Sequence, residues 1–167
     1  MLTILVVSCS QKSGTSRDDN TADMEIRNQV ILLAEDYAMN QLKEAERTVA
    51  ENGAVTISDQ QNKYIIEPVR VFFGLIDNDP ETDAIVSIAM FKGQYQDTSR
   101  HLVFLKTNGK FELAGTIQSD MDILWIRNRI ITADVPTHSR NSPLFNCESC
   151  RDVIDFQFRE GSLVRVK

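Results

Sequence analysis

Two stretches of this sequence carry side chains that could do chemistry. One is the acidic run Asp77-Asn78-Asp79-Pro80-Glu81-Thr82-Asp83, and the other is the pair Cys147 and Cys150 in the loop NCESC. Asp77, Asp79, Glu81 and Asp83 place four carboxylates at alternate positions in one turn. Such charges repel unless they are solvated or bridged by a cation, and hard oxygen ligands of this kind suit calcium. The same residues also fit an acidic β-turn, Asp79-Pro80-Glu81-Thr82, with proline pre-set for its second position.

The cysteine pair has the C-x-x-C spacing of redox sites, but such sites place it at a helix N-terminus, where the dipole lowers the thiol pKa. Here Pro143 precedes the pair and the strand-like run VIDFQF follows it. Zinc would need two more ligands, with His101 and His138 as the two histidines of the chain. The expectation is a disulfide between Cys147 and Cys150 clipping the long loop Pro136 to Arg151. Ser139 and Ser142 lie near His138 and Asp134, but no nucleophile elbow or oxyanion signature accompanies them, and the segment reads as a polar loop.

The elements that must hold these groups follow from hydrophobic period. The segment Ser10 to Thr21 is small and polar and reads as a linker. Apolar residues then recur at Ile26, Val30, Leu33, Tyr37, Leu42, Ala45 and Val49, mostly three or four apart. The spacing predicts one amphipathic helix from about Ala22 to Glu51, ended by Asn52-Gly53.

From Ala54 the period becomes two, in the runs AVTIS, YIIEPVRVFFGLI, DAIVSIAMF, HLVFLK, FELAGTI, DILWI, IITADV, VIDFQF and SLVRV. Asn108-Gly109 is a strong hairpin signal. No second helical pattern separates the strands, so parallel crossovers are not available. The expected fold class is α+β, with one long N-terminal helix on a curled antiparallel meander, the layout of cystatin-like and nuclear-transport-factor-like folds. Val69, Val71 and Phe73, and Ala84, Val86, Ile88 and Met90, are expected to face the helix. Trp125, Phe156 and Phe158 are expected in the core.

The chain has 167 residues, 42% hydrophobic and 25% charged, which suits one globular domain, placed here at 22–167. The net charge of -6, with no cluster of Lys and Arg, argues against a nucleic-acid partner.

The opening ILVVSCSQKSGTS is similar to the first strand and phosphate loop of flavodoxin-type folds, but such a loop needs a parallel sheet behind it. Val6-Val7-Ser8-Cys9 followed by a polar tether resembles the leader of bacterial lipoproteins. That resemblance implies lipid attachment at Cys9, a membrane partner, and a cell-envelope, outer-membrane location. Eight residues precede Cys9 and none is Lys or Arg, so residues 1–9 are read as a truncated signal remnant, with 10–21 as the linker.

The acidic run resembles the calcium loop of FG-GAP and related secreted repeats, which carries over Asp77, Asp79 and Asp83. Leu75 stands where the first Asp of that loop belongs, and Pro80 replaces its Gly. The segment Asp83 to Val166 is similar to domains of uncharacterised secreted bacterial proteins. The resulting expectation is an envelope-anchored, non-enzymatic domain that binds a protein, glycan or small ligand on its sheet face, with calcium as a candidate cofactor. The alternative is an envelope enzyme or redox protein working through the Cys147/Cys150 loop.

Overall fold

The computed structural model describes residues 16–145 and 147–166, with side chains from residue 23 onward. The element order is α1 (Ser16–Asn40), β1 (Glu46–Val49), β2 (Val55–Ser58), β3 (Asn62–Gly74), β4 (Asp83–Lys92), β5 (Tyr95–Gln96), β6 (Ser99–Thr107), β7 (Lys110–Ser119), β8 (Asp122–Arg127), β9 (Ile130–Pro136), β10 (Arg151–Arg159) and β11 (Ser162–Arg165). All described strand pairs are antiparallel. The class is α+β, with all nine expected strand runs present.

The strands divide into two sheets. The first has the order β1-β2-β3-β4-β6-β7, with β5 beside β4, and the second has the order β11-β10-β9-β8. Helix α1 packs on one face of the first sheet. Val30, Ile31, Ala34 and Ala38 meet Ile57, Ile66, Val86, Ile88, Leu102 and Phe104 there. The second sheet covers the opposite face, where Ile85 and Val103 meet Ile123, Ile126, Ile131 and Ala133. Strands β4 and β6 are therefore buried on both sides, and their side chains alternate between the two layers.

Two glycines allow that second layer to close. A Cβ at Gly74 would stand 2.7 Å from the Ile126 side chain, and one at Gly115 would stand 2.8 Å from the Gly161 carbonyl. Any side chain at either position would push the sheets apart.

The helix starts at Ser16, inside the stretch read as a linker, and ends at Asn40 rather than Glu51. Leu42, Ala45 and Val49 continue the helical spacing, but tertiary pairing overrides it. Glu46 to Val49 form an edge strand in register with Ser58 to Val55. Arg47 on that strand donates to Glu35, an acid that the helix buries and that needs a cation. Asn52-Gly53, expected as the helix stop, is instead the β1–β2 turn, with Gly53 at φ 80 and Ala50 N–H bonded to the Ala54 carbonyl. The same dipeptide chemistry serves a helix stop and a hairpin. Asn108-Gly109 is a hairpin as expected, with φ of 53 and 78.

Ala84, Val86, Ile88, Met90, Val71 and Phe73 do face the helix. Val69 does not and is 82% exposed, because the β3/β4 register breaks between Ile66 and Val71, at Pro68, which has no N–H to give. Arg27 of α1 donates to the Pro68 and Val71 carbonyls at this irregularity. Trp125, expected in the core, is likewise outside it and 45% exposed. The β8/β9 register slips between Ile123 and Trp125, so an extra residue reverses the alternation and turns Trp125 outward. Phe156 and Phe158 pack in the inter-sheet layer as expected.

Candidate functional site

The acidic loop brings ligand atoms of Asp77, Asp79 and Asp83 within 4.8 Å of one another. Most of this arrangement is explained by backbone bonding. Asp83 is fully buried at the start of β4, and its carboxylate accepts from Ile76 N–H at 2.7 Å, Lys106 N–H at 2.9 Å and Asp77 N–H at 3.4 Å. Burial pushes its carboxyl up, and those three N–H groups oppose the shift. Asp77 accepts from Asp79 N–H and Asp79 from Glu81 N–H, the side-chain turns that Asp favours. Arg129 donates to the Asp77 and Asn78 carbonyls. Glu81 stands outside the three-carboxylate group and accepts from Gly109 N–H at the β6–β7 hairpin.

Cys147 and Cys150 stand at disulfide distance, with Cα atoms 5.1 Å apart. They are three residues apart, so the bond encloses a tight turn and does not clip the loop between Pro136 and Arg151. That loop is closed at its base by strand pairing of Pro136 with Arg151 and by the Thr137 N–H and hydroxyl, both donating to the Cys150 carbonyl. The hydrolytic grouping does not assemble. Asp134 is paired with Arg151, Ser142 Oγ accepts from Leu144 N–H, and among the described residues no hydrogen bond joins either of them to His138. Cys9 lies outside the described residues.

A different group of charged side chains converges where the two sheets part. A cleft of about 380 Å³ is lined by Arg70, Arg140, Arg151, Asp120, Asp122 and Phe145. Arg70 comes from β3, beside the Pro68 irregularity, and Arg151 opens β10. Arg140 and Phe145 come from the loop that follows β9. Asp122, at the start of β8, joins two of the arginines, receiving Arg70 Nη2 at 2.6 Å and Arg151 Nη2 at 2.9 Å. Arg151 also meets Asp134 through Nε at 3.0 Å and the Asp134 carbonyl through Nη2 at 3.0 Å.

Each nitrogen of Arg140 has an acceptor. Its Nε and Nη2 donate to Asp120 and its Nη1 to the Gln96 carbonyl, while Phe145 lies over the guanidinium at 5.5 Å. Arg70 differs. Among the described residues its Nε and Nη1 have no acceptor, and neither has Arg151 Nη1.

Beside the cleft, His101 is fully buried in the inter-sheet layer. Its Nδ1 is 2.8 Å from Ser87 Oγ and its Nε2 is 3.4 Å from Ser119 Oγ. Burial foremost, and then the charge of Arg70, lowers its pKa to about 4, so the ring is neutral at physiological pH. One ring nitrogen donates to a serine and the other accepts from one. In the sequence alone, His101 stands out only as a candidate zinc ligand. Neither Cys147 nor Cys150 approaches it by any hydrogen bond among the described residues.

No protein-family model, curated protein or solved structure matches this chain. No helix among the described residues is long and apolar enough to cross a membrane.

Proposed function

We propose that this chain is a non-enzymatic binding domain that takes a small anionic ligand in the cleft between its sheets. The observation that carries this reading is the pair Arg70 and Arg151. Asp122 holds both guanidiniums in place from one side, and each retains donors without a protein acceptor among the described residues. A planar guanidinium with spare N–H groups suits a carboxylate or phosphate. Prior fixing by Asp122 lowers the ordering cost of binding. The cleft volume of about 380 Å³ lies in the range of small-molecule sites.

Titration calorimetry of the whole chain with sodium acetate and with inorganic phosphate, at constant ionic strength, tests the reading. Saturable binding that is lost in the Arg70→Ala, Arg151→Ala double variant is expected. Equal weak heats in both proteins would refute it.

The helix-on-sheet layout of cystatin-like and nuclear-transport-factor-like folds, carrying here a second sheet on the far face, belongs to the same proposal. So does the envelope setting. Val6-Val7-Ser8-Cys9 supports lipid attachment at Cys9, and a disulfide-distance pair suits an oxidising compartment. Cys9→Ala should move the protein from the membrane to the soluble fraction of a cell lysate. An unchanged distribution would remove the anchor from the account.

A further inference from the structure

The first sheet is covered on both faces, by α1 and by the second sheet, whereas among the described residues no element covers the outer face of the second. Register fixes which side chains stand on that face. Ile126 and Ile131 are partners that point into the inter-sheet layer, as do Phe158 and Leu163, so the residues alternating with them point out. One outer row runs from Trp125 of β8 through Thr132 of β9 to Asp155 of β10, with Val166, whose N–H donates to the Asp155 carbonyl, beyond it. The adjacent row holds Arg127, Ile130, Gln157 and Val164. Trp125, Val153, Val164 and Val166 are 38% to 66% exposed. Exposed apolar side chains gathered on one face, with polar groups among them, mark an interaction surface.

The charges on this face, unlike those of the cleft, are not balanced within the chain. Arg127 lies over the Trp125 ring at 5.9 Å, and among the described residues no carboxylate forms an ion pair with it. Asp155 accepts from the Thr132 hydroxyl at 2.7 Å and likewise meets no cation. The two stand on either side of β9, one row apart. We infer that this face docks on the same face of a second copy of the chain. A two-fold axis lying between the copies and crossing β9 between Ile130 and Thr132 exchanges the two positions, so Arg127 of each copy faces Asp155 of the other. Trp125 and the valines are then enclosed between the facing sheets, the mode of packing by which the two sheets already meet within the chain. A wholly acidic or wholly basic partner would set like charge against one of the two residues, whereas a second copy answers both.

The test is analytical ultracentrifugation of the full chain from the low-micromolar to the several-hundred-micromolar range. A reversible monomer-dimer equilibrium is expected, with Trp125 fluorescence moving to shorter wavelength as the dimer fills. Arg127→Asp and Asp155→Arg each set like charges against one another and should weaken the dimer about tenfold or more when alone. Mixing the two variants restores both opposite-charge pairs in a heterodimer, which should associate nearly as strongly as the unaltered chain. Trp125→Ser should weaken association while far-ultraviolet circular dichroism stays unchanged. If that variant fails to fold, the charge variants, both at exposed positions, decide alone. A chain that stays monomeric throughout would overturn the proposal, whatever other partner the face receives. A dimer that none of these variants weakens forms through another surface and would overturn it too, as would single-variant losses that mixing does not repair.

Discussion

The acidic loop and the arginine cleft are both clusters of charge, but they are satisfied in different ways. In the loop, the backbone has turned its N–H groups toward the carboxylates, so that Asp83, Asp77 and Asp79 each accept from the chain within or beside the loop. In the cleft, side chains distant in sequence neutralise one another through Asp122 and still leave guanidinium donors unused. A run of like charge in sequence can thus be a folding device. Convergence of charge from separate strands, with bonding capacity left over, is the better sign of a site.

The largest effect should come from removing the loop's anchor. Asp83→Ala would orphan one buried and two partly buried backbone N–H groups, and urea unfolding should show a loss of about 3 kcal/mol. The matching change in the cleft, Asp122→Ala, breaks two ion pairs of a half-exposed carboxylate, so the cost should be about 1 kcal/mol, while anion affinity falls because Arg70 and Arg151 lose their common fixture. Similar losses from the two changes would erase the distinction.

Next in size is the pH response beside the cleft. His101 has its pKa lowered from 6.5 to about 4. The unfolded chain therefore binds a proton that the folded chain refuses between those values. The stability it contributes is present above about pH 6.5 and is lost as pH falls toward 4, by at most about 3 kcal/mol. Midpoints of urea unfolding across that range should slope downward in acid. The slope should shrink in His101→Gln, and an unchanged slope would assign the acid response to other groups.

A smaller effect is expected at Cys147 and Cys150. The chain-entropy relation gives about 2 kcal/mol or less for a turn this short. Replacing both with serine should lower the melting midpoint modestly and leave anion binding intact, because Arg140 holds its loop through Asp120 and Gln96. Loss of binding would tie the turn to the cleft. The smallest effect concerns calcium. Three N–H groups already give Asp83 the positive partial charge a cation would supply, so millimolar calcium and a chelator should give the same melting midpoint. A raised midpoint with calcium would make the loop a metal site.

Much of the fold was legible because hairpin chemistry and alternation are local. Asn108-Gly109 turns where its φ values require, and nine strand runs appear where the period is two. Local pattern and structure part where tertiary pairing overrides local spacing. Leu42, Ala45 and Val49 keep helical spacing, yet Glu46–Val49 pair with β2. Trp125 and Val69 follow alternation until a register slip reverses it. The second layer left a readable trace: DAIVSIAMF is nearly continuous in apolar residues, the signature of a strand buried on both faces.

The cleft left less. Arg70, Arg140 and Arg151 share no motif, and the one hint is an arginine set inside the apolar run PVRVFF. Asp77, Asp79 and Asp83 were found together as expected, while Glu81 was drawn to the neighbouring hairpin by the Gly109 N–H.

The central claim, that Arg70 and Arg151 form one anion site, is tested most directly by magnetic resonance of the arginine side-chain N–H groups during titration with sodium acetate at fixed ionic strength. The Arg70 and Arg151 signals should move together and saturate at a common concentration, while exposed Arg127 and Arg159 stay in place. Uniform drift of all four, or no movement at Arg70 and Arg151, would contradict it.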